Sequence, residues 1–504
     1  MKERWFNFRP LCLIFGFLLL GSVFAFYITS QIALTISISL TIFISLIILS
    51  ILKKKPQYVL IPIIAFVIGI SLYYIGVARF NNTIDYRPTS IEARVNSISN
   101  EVDGLIVVKA DSCKFNDKKN NDNIVIYIYD DSSLFEDINI GSVIKFKPYK
   151  FYKTDLFYNE IPNASRYYND LKYTASVKID DIEYIKTDKT LAEKFKNKVK
   201  NNLEIGLTNE NAEIAYSALF GDKDLLSDKQ YNAYKMSGVA HLLAVSGLHI
   251  SIIVACLNFI LDKCKVKRWY KFAIVLSFLL FYSYLCNFTV SAIRASIMAL
   301  VLLLAKILKQ PYDSFNSISL AGIIIFLVNP FCIFDVGFLL SFSCVIGITM
   351  LYKPLRKTLS KTKMPKTIID SVAISLSTTI SITIIMAYYF RTLNIISIIS
   401  NVILIPIFTI AFVALFIVSL LALICSYLSY LMWPINYILD FINLVATILG
   451  NLSISNFNTL EFNYIAIIIY FMLLLFLGRF CTTKYQYKIM ATLPIVALLI
   501  ICLI

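Results

Sequence analysis

Histidine is almost missing: the 504 residues hold two, His241 and His249, and both lie in one apolar run. Eight residues apart on a straight helix they would stand about 12 Å apart by rise, and no third ligand is in evidence, which argues against a metal site. The ten cysteines form no CxxC pair and fall mostly one to an apolar run, so neither a zinc knuckle nor a disulfide framework is expected. Cys113 alone falls in a polar segment, where a bridge would need a cysteine at a membrane end or in another chain. The phosphate-cradling pattern GxxxxGK[ST] does not occur, so the chain shows no nucleotide-driven engine. Acidic residues are scarce outside one stretch. Residues 80–235 hold 25 Asp and Glu against 22 Lys and Arg, and the rest of the chain holds 7 against 25. The net charge of +15 therefore speaks for topology rather than for nucleic acid, because a Lys and Arg excess in short loops is what the positive-inside bias produces.

Apolar length is what the chain has in abundance. With 58% hydrophobic residues and a mean hydropathy of +0.72, it reads as a polytopic α-helical membrane protein with an inserted small β-barrel domain, crossing the bilayer roughly 13 times by run length. Residues 1–79 read as a three-span segment (11–27, 32–52, 58–77). The first run has a basic start but no convincing cleavage site and is taken as a retained span. Residues 80–186 form the polar insert, 187–236 linking amphipathic helices, and 237–504 a second membrane region. Basic ends placed in the cytoplasm put the N-terminus inside and the insert outside the cell. In the second region the run 394–424 is too long for a simple crossing and contains Pro406, which predicts a kinked or broken helix.

The insert alternates with period two over 90–98, 105–110, 124–129, 143–147 and 174–179, which predicts five short strands in a small barrel of the OB type. One strand, VIKFKPYKFYK over 143–153, mixes Lys145, Lys147, Lys150 and Lys153 with Phe146, Tyr149, Phe151 and Tyr152. That mixture stacks bases and tracks phosphates on single strands, and it also describes a half-buried strand with a lysine-rich solvent face. Beyond it, Leu191, Phe195, Val199 and Leu203 recur every four residues among lysines, an amphipathic helix suited to a membrane surface or to docking on the barrel. Ser227 with Gln230 three residues on reads as a capping box.

The stretch SGVAHLLAVSGLHISIIVACLNFI, Ser237 to Ile260, sets Ser237, Gly238, His241, Ser246, Gly247 and His249 within an apolar run, where polar groups are expensive. A broken or re-entrant helix is as compatible with it as a straight span. HLLAVSGLH resembles the signature of the ComEC family of competence proteins, the inner-membrane channels for single-stranded DNA in bacterial transformation. Later segments are similar to the same family in the same order: SAIRASIM around Arg294, NP followed by DVGFLLSFS with Asp335, Gly337 and Ser341, and NVILIP from Asn401 to Pro406.

The resemblance implies an OB-like external domain, no cofactor and no catalytic role. It also implies single-stranded DNA, an extracellular DNA receptor and a cytosolic helicase-like ATPase as partners. Family members often add a C-terminal metallo-β-lactamase-like domain; this sequence ends on an apolar run from Ile489, so strand removal is expected of a separate nuclease. In the expected topology all the polar clusters lie in the outer half of the membrane, as a shared vestibule would place them. The histidines either fix helix packing or line the route, Arg294 either snorkels or lines it, and Asp440 sits mid-run and needs a partner or water. Two other functions fit the same residues: transport of another polymer or a lipid-linked substrate, and a membrane scaffold with an extracellular binding domain.

Overall fold

The computed structural model describes residues 9–28, 57–81, 88–100, 105–116, 118–119, 122–129, 140–154, 168–178, 181–187, 189–223, 225–452, 456–458 and 470. They fall into two compact units, one of Leu13–Asn197 with Ile323–Asp335, the other of Met1–Cys12, Lys198–Gly322 and Val336–Ile504.

The first unit combines helices with a curled sheet. Helices α1 (Pro10–Ile28) and α2 (Gln57–Asn81) cross backbone to backbone at two glycines. Any Cβ on Gly21 would strike Phe66 O, and any on Gly69 would strike Leu18 O. Small residues at such crossings are how apolar helices gain contact when lipid and partner are equally apolar. The strands are β1 (Ile91–Asn100), β2 (Leu105–Phe115), β3 (Lys118–Lys119), β4 (Asn123–Tyr129), β5 (Ser142–Phe146), β6 (Lys150–Lys153), β7 (Leu171–Lys178) and β8 (Ile182–Thr187). Their order is β6-β7-β4-β2-β1-β5-β8, with β3 on β2; β4 and β7 are parallel and the other pairs antiparallel.

Strands β5 and β6 are two parts of one stretch interrupted around Pro148, which has no N–H to give a ladder. The first part pairs with β1 and β8, the second with β7, and register shifts in β1 add bend. Alternate side chains fill the concave side: Ile91, Val95, Val108, Phe115, Ile126, Ile144, Phe146 and Tyr173 are all buried. Cys113 lies in this core as a free thiol, and burial pushes its pKa far above the ordinary range. No described cysteine is in a disulfide.

Helix α3 (Leu191–Gly206) starts with a capping box, the Thr190 N–H donating to Glu193 Oε2 at 2.7 Å and the Glu193 N–H to Thr190 Oγ1 at 3.2 Å. Glu193 also pairs with Arg94 of β1. The buried stripe is Ala192, Lys196, Val199 and Leu203; Val199 and Leu203 are as read in the sequence, whereas in the first half of the helix the stripe is turned by one residue and leaves Leu191 77% exposed.

The second unit continues through α4 (Asn209–Phe220), α5 (Asp228–Met236), α6 (Gly247–Lys263), α7 (Arg268–Leu285), α8 (Val290–Ile307), α9 (Ser314–Val328), α10 (Val336–Leu359), α11 (Lys366–Phe390), α12 (Ser397–Ile424) and α13 (Ile435–Gly450); the end of α9 belongs to the first unit. The box read at Ser227 and Gln230 caps α5. Lys198 Nζ and Asn202 Nδ2 donate to the carbonyls of Leu423 and Ala422 at 3.1 and 3.0 Å, covering orphan acceptors at the C-terminus of α12. This half of α3 is therefore a docking helix.

Six helical stretches among the described residues are long and apolar enough to cross a membrane: Ile61–Asn81, Ala240–Lys263 (a 3-10 turn followed by α6), Val290–Ile307, Val336–Leu359, Lys366–Phe390 and Ser397–Ile424. A seventh arises if Ser426–Met432 and Ile435–Gly450, bent by 47°, are one span. Of the roughly 13 expected spans, those at 32–52, 464–477 (Tyr470 excepted) and 489–504 lie outside the described residues, and Pro10–Phe26 and Ser314–Val328 are apolar but short. Of the kink or break expected at Pro406, the break does not occur. Helix α12 runs through it for 28 residues, about 42 Å by rise, and the bend falls after it.

Candidate functional site

The run from Ser237 to Ile260 is not one helix. Helix α5 stops at Met236, the chain turns at Gly238 with φ +78°, a short 3-10 turn covers Ala240–Leu242, and α6 begins at Gly247. A left-handed φ suits glycine, and close approach enforces it: a Cβ on Gly238 would lie 3.0 Å from Ser397 Cα and 3.1 Å from Asn394 Cγ. Asn394 Nδ2 donates to Met236 O at 2.6 Å, and buried Ser237 donates its hydroxyl to Ala233 O at 2.8 Å.

The segment between the two glycines is pinned by α4 and α8. Ser217 of α4 donates to Leu243 O at 3.0 Å, and Ser291 of α8 donates to Val245 O at 2.6 Å. Gly221, which ends α4 at φ +76°, leaves room for Val245, whose N would be 3.3 Å from a Cβ there. Leu242, Leu243 and Val245 are buried and His241 is exposed.

Ser246 and His249 form a capping box in which imidazole replaces the usual carboxylate or amide. The Ser246 N–H donates to His249 Nδ1 at 3.2 Å, and the Leu248 N–H donates to Ser246 Oγ at 3.3 Å. Ser246 Oγ is also 2.9 Å from Nδ1. An Nδ1 that accepts a backbone proton leaves the ring proton on Nε2. His249 is fully buried, edge-on to Phe412 and Phe408 of α12 at centroid distances of 4.5 and 5.4 Å, and its Nε2 has no hydrogen-bond partner among the described residues. Both ends of the motif thus meet α12, Gly238 at Ser397 and His249 at the two phenylalanines.

Arg294 of α8 lies over the start of α6. Its Nε donates to Ser341 Oγ of α10 at 2.7 Å, and its Nη2 is 3.3 Å from where a Cβ on Gly247 would sit. It is 6% exposed, and among the described residues no carboxylate pairs with it. The structure therefore brings Ser246, Gly247, His249, Arg294 and Ser341 together. Asn401 is held elsewhere on α12: its Nδ2 donates to Ser375 Oγ at 3.2 Å, and its Oδ1 is buried without a partner among the described residues. Pro406 is exposed within α12, and Gly337 is exposed at the start of α10. Asp335 belongs to the strand-bearing unit, where it closes the 3-10 turn Pro330–Phe334 through its N–H to Cys332 O at 3.1 Å. Asp440 is exposed and has a partner, Asn211 Nδ2 at 2.8 Å; the same amide donates to Asn436 Oδ1 at 3.0 Å, tying α4 to α13.

In the sheet, the stretch 145–153 sorts by side. Phe146 is 2% exposed inside the core, so no base can stack on it, and Phe151 stacks on Tyr173 at 5.3 Å. Lys147, Tyr149, Lys150, Tyr152 and Lys153 face outward, Tyr149 and Tyr152 at 64% and 55% exposed, while Lys145 is half-buried. Lys150 Nζ lies 5.9 Å from the Tyr149 ring centre. The basic and aromatic mixture read over 143–153 is therefore divided: Phe146 and Phe151 belong to the core side, and Lys147, Tyr149, Lys150, Tyr152 and Lys153 to the outside. Ser217, Gly221 and Ser291, which fix the motif, had no signal beyond being small residues in apolar helices.

The described residues hold no group of three or more His, Cys, Asp or Glu able to bind a metal ion. The sequence model of a family described as "Competence protein" matches residues 218–483. ComE operon protein 3 of Bacillus subtilis (strain 168) is 31% identical over 196 residues, 39% of this chain and 24% of that protein. Recombination protein 2 of Haemophilus influenzae is 26% identical over 186 residues, 36% of this chain and 22% of that one. An uncharacterized MG316 homolog of Mycoplasma pneumoniae is 27% identical over 156 residues, 29% of this chain and 39% of its own length. The matched part thus spans about a quarter of the first two relatives. No solved structure matches the chain.

Proposed function

The chain belongs to the competence protein family, and on that premise we propose that it is a membrane conduit for single-stranded DNA entering a bacterial cell. The observation that carries this reading is the coincidence of the family match with the polar cluster: residues 218–483 include Ser246, Gly247, His249, Arg294 and Ser341. Support comes also from the sheet. Its β1-β2-β4 meander, with β7 parallel to β4 and β5 antiparallel to β1, is the connectivity of an OB barrel whose fourth strand is divided at Pro148. Its outward basic and aromatic residues are of the type that holds single strands. The role is transport rather than catalysis, with the driving force from a separate ATPase, delivery by an extracellular receptor and removal of the second strand by a separate nuclease.

The test is DNA uptake in a strain deleted for the chain, complemented by wild type and by Gly247→Leu. Uptake lost on deletion and restored by wild type supports the conduit; uptake unaffected by deletion refutes it and leaves another polymer or a lipid-linked compound as cargo. The proposed orientation, N-terminus inside and sheet outside, is read with an impermeant thiol reagent on a cysteine-free background. Lys147→Cys should label in intact cells and Lys363→Cys should not.

A further inference from the structure

We propose that Arg294 and the N-terminus of α6 form an internal anion site that takes a phosphodiester of the polynucleotide backbone. This deepens the conduit reading and rests on it for the identity of the ligand. The guanidinium is more than nine-tenths buried, yet its only described hydrogen bonds are Nε to Ser341 Oγ at 2.7 Å and Nη1 to Met298 Sδ at 3.8 Å. Nη2 has no partner among the described residues and points at the first residue of α6, 3.3 Å from the Cβ position of Gly247. A helix N-terminus carries partial positive charge, so a buried cation has been placed against a like-signed pole. A fold built for stability alone would put a carboxylate there, because an uncompensated buried charge is costly. An arriving anion meets both attractions at once, the guanidinium fork and the α6 dipole.

The glycine of the SG pair has a specific reason in this arrangement. It lets the guanidinium lie close to the helix start, and a methyl group in its place would lie within 3.3 Å of Nη2 and occupy the space between the donors. Ser246 and His249 hold the turn in shape through the capping box, and Ser291 fixes the preceding loop by donating to Val245 O. Gly247 and Ser341 are only half-buried, so the cluster is not sealed. A buried arginine with no carboxylate paired to it among the described residues also suits a transient contact. One fork gives a stepping point for a polyanion, whereas a cluster of cations would trap it.

The experiment uses the purified full-length chain in nanodiscs of uncharged lipid, titrated with the dinucleotide pTpT at constant ionic strength and followed by its thermal midpoint. A saturable rise in the wild type, with affinity down about tenfold or more in Arg294→Gln, is the expected result. Gly247→Ala should weaken pTpT with the ligand-free midpoint kept, which guards against misfolding of the arginine variant. No saturable response in the wild type, or equal affinity in Arg294→Gln and Gly247→Ala, overturns the site. Stabilisation by glycerophosphoglycerol, the headgroup of an anionic lipid, but not by pTpT overturns the polynucleotide as its ligand. DNA uptake in the deletion strain is scored separately, so loss of the conduit reading is visible whatever the binding result.

Discussion

Replacing Lys147, Lys150 and Lys153 together by Ala tests whether the outward face of the sheet tracks a DNA backbone. All three are exposed. Each phosphate neutralised on a single strand contributes roughly −0.7 to the slope of log affinity against log salt, so the triple variant should lose about two units of slope. Tyr149→Ala and Tyr152→Ala should each weaken binding by about 1–3 kcal/mol at any salt concentration if a base stacks on the ring. Phe146→Ala is the control. Its side chain is in the core, so the change should lower the unfolding midpoint, by an amount near the roughly 3–5 kcal/mol usual for a buried phenylalanine, and leave affinity of the folded protein unchanged. The assay is fluorescence anisotropy of labelled oligothymidylate against the full chain in nanodiscs over a series of KCl concentrations. An unchanged slope in the triple variant, or weaker binding by folded Phe146→Ala, would refute the assignment of this face.

Gly238→Ala forces a left-handed residue to carry a Cβ against Ser397 Cα at 3.0 Å, so stability should drop by about 2 kcal/mol or more, read as a lower thermal midpoint. Gly347→Ala would drive a methyl group into Ser381 Oγ and to 2.6 Å from Ser377 O, separating α10 from α11; Ser381→Ala in the same chain should recover only part of the loss, because the Ser377 carbonyl stays in the way. Asp170 has its carboxyl pKa raised chiefly by burial, with Lys172 opposing and Asp122 adding to the shift. The folded state therefore favours the protonated form: this stabilising contribution is full below the ordinary carboxylate value of about 3.9 and is lost as pH rises through the folded value. Asp170→Asn, which tolerates the φ of +53° there, should raise the midpoint near neutral pH, with the gain shrinking in acid.

How far the sequence could be read follows from which forces act locally. Alternation over 90–98, 105–110 and 124–129 gave real strands because each inward residue meets the same core, and the Ser227 box is a local bond between neighbours. The stripe on α3 was read correctly at Val199 and Leu203 and one residue off before them, because a lysine stem can bury: Lys196 is inside while Leu191 is not. Pro406 was read as a kink or a break, and of the two the break does not occur: helix α12 continues through it, the missing N–H being tolerated as it often is in apolar helices. The pairing of Arg294 with Ser341, and of Asp440 with Asn211, joins residues far apart in sequence, and no spacing rule reaches that far.

The two glycines of the motif show the same limit in finer detail. Read as letters, Gly238 and Gly247 are equivalent: each follows a serine and each weakens a helix. In space they differ. Gly238 is required by its own φ and by Ser397, whereas Gly247 starts a regular helix, has no positive φ, and is small for the sake of Arg294, 47 residues further along the chain. Substitution should separate the two causes. Asn, which accepts a left-handed φ but has a Cβ, should rescue part of the loss at Gly238 relative to Ala and should do no better than Ala at Gly247. An equal loss for Asn and Ala at Gly238 would mean that side-chain volume alone decides there, and that the turn at Gly238 sets no conformational demand of its own.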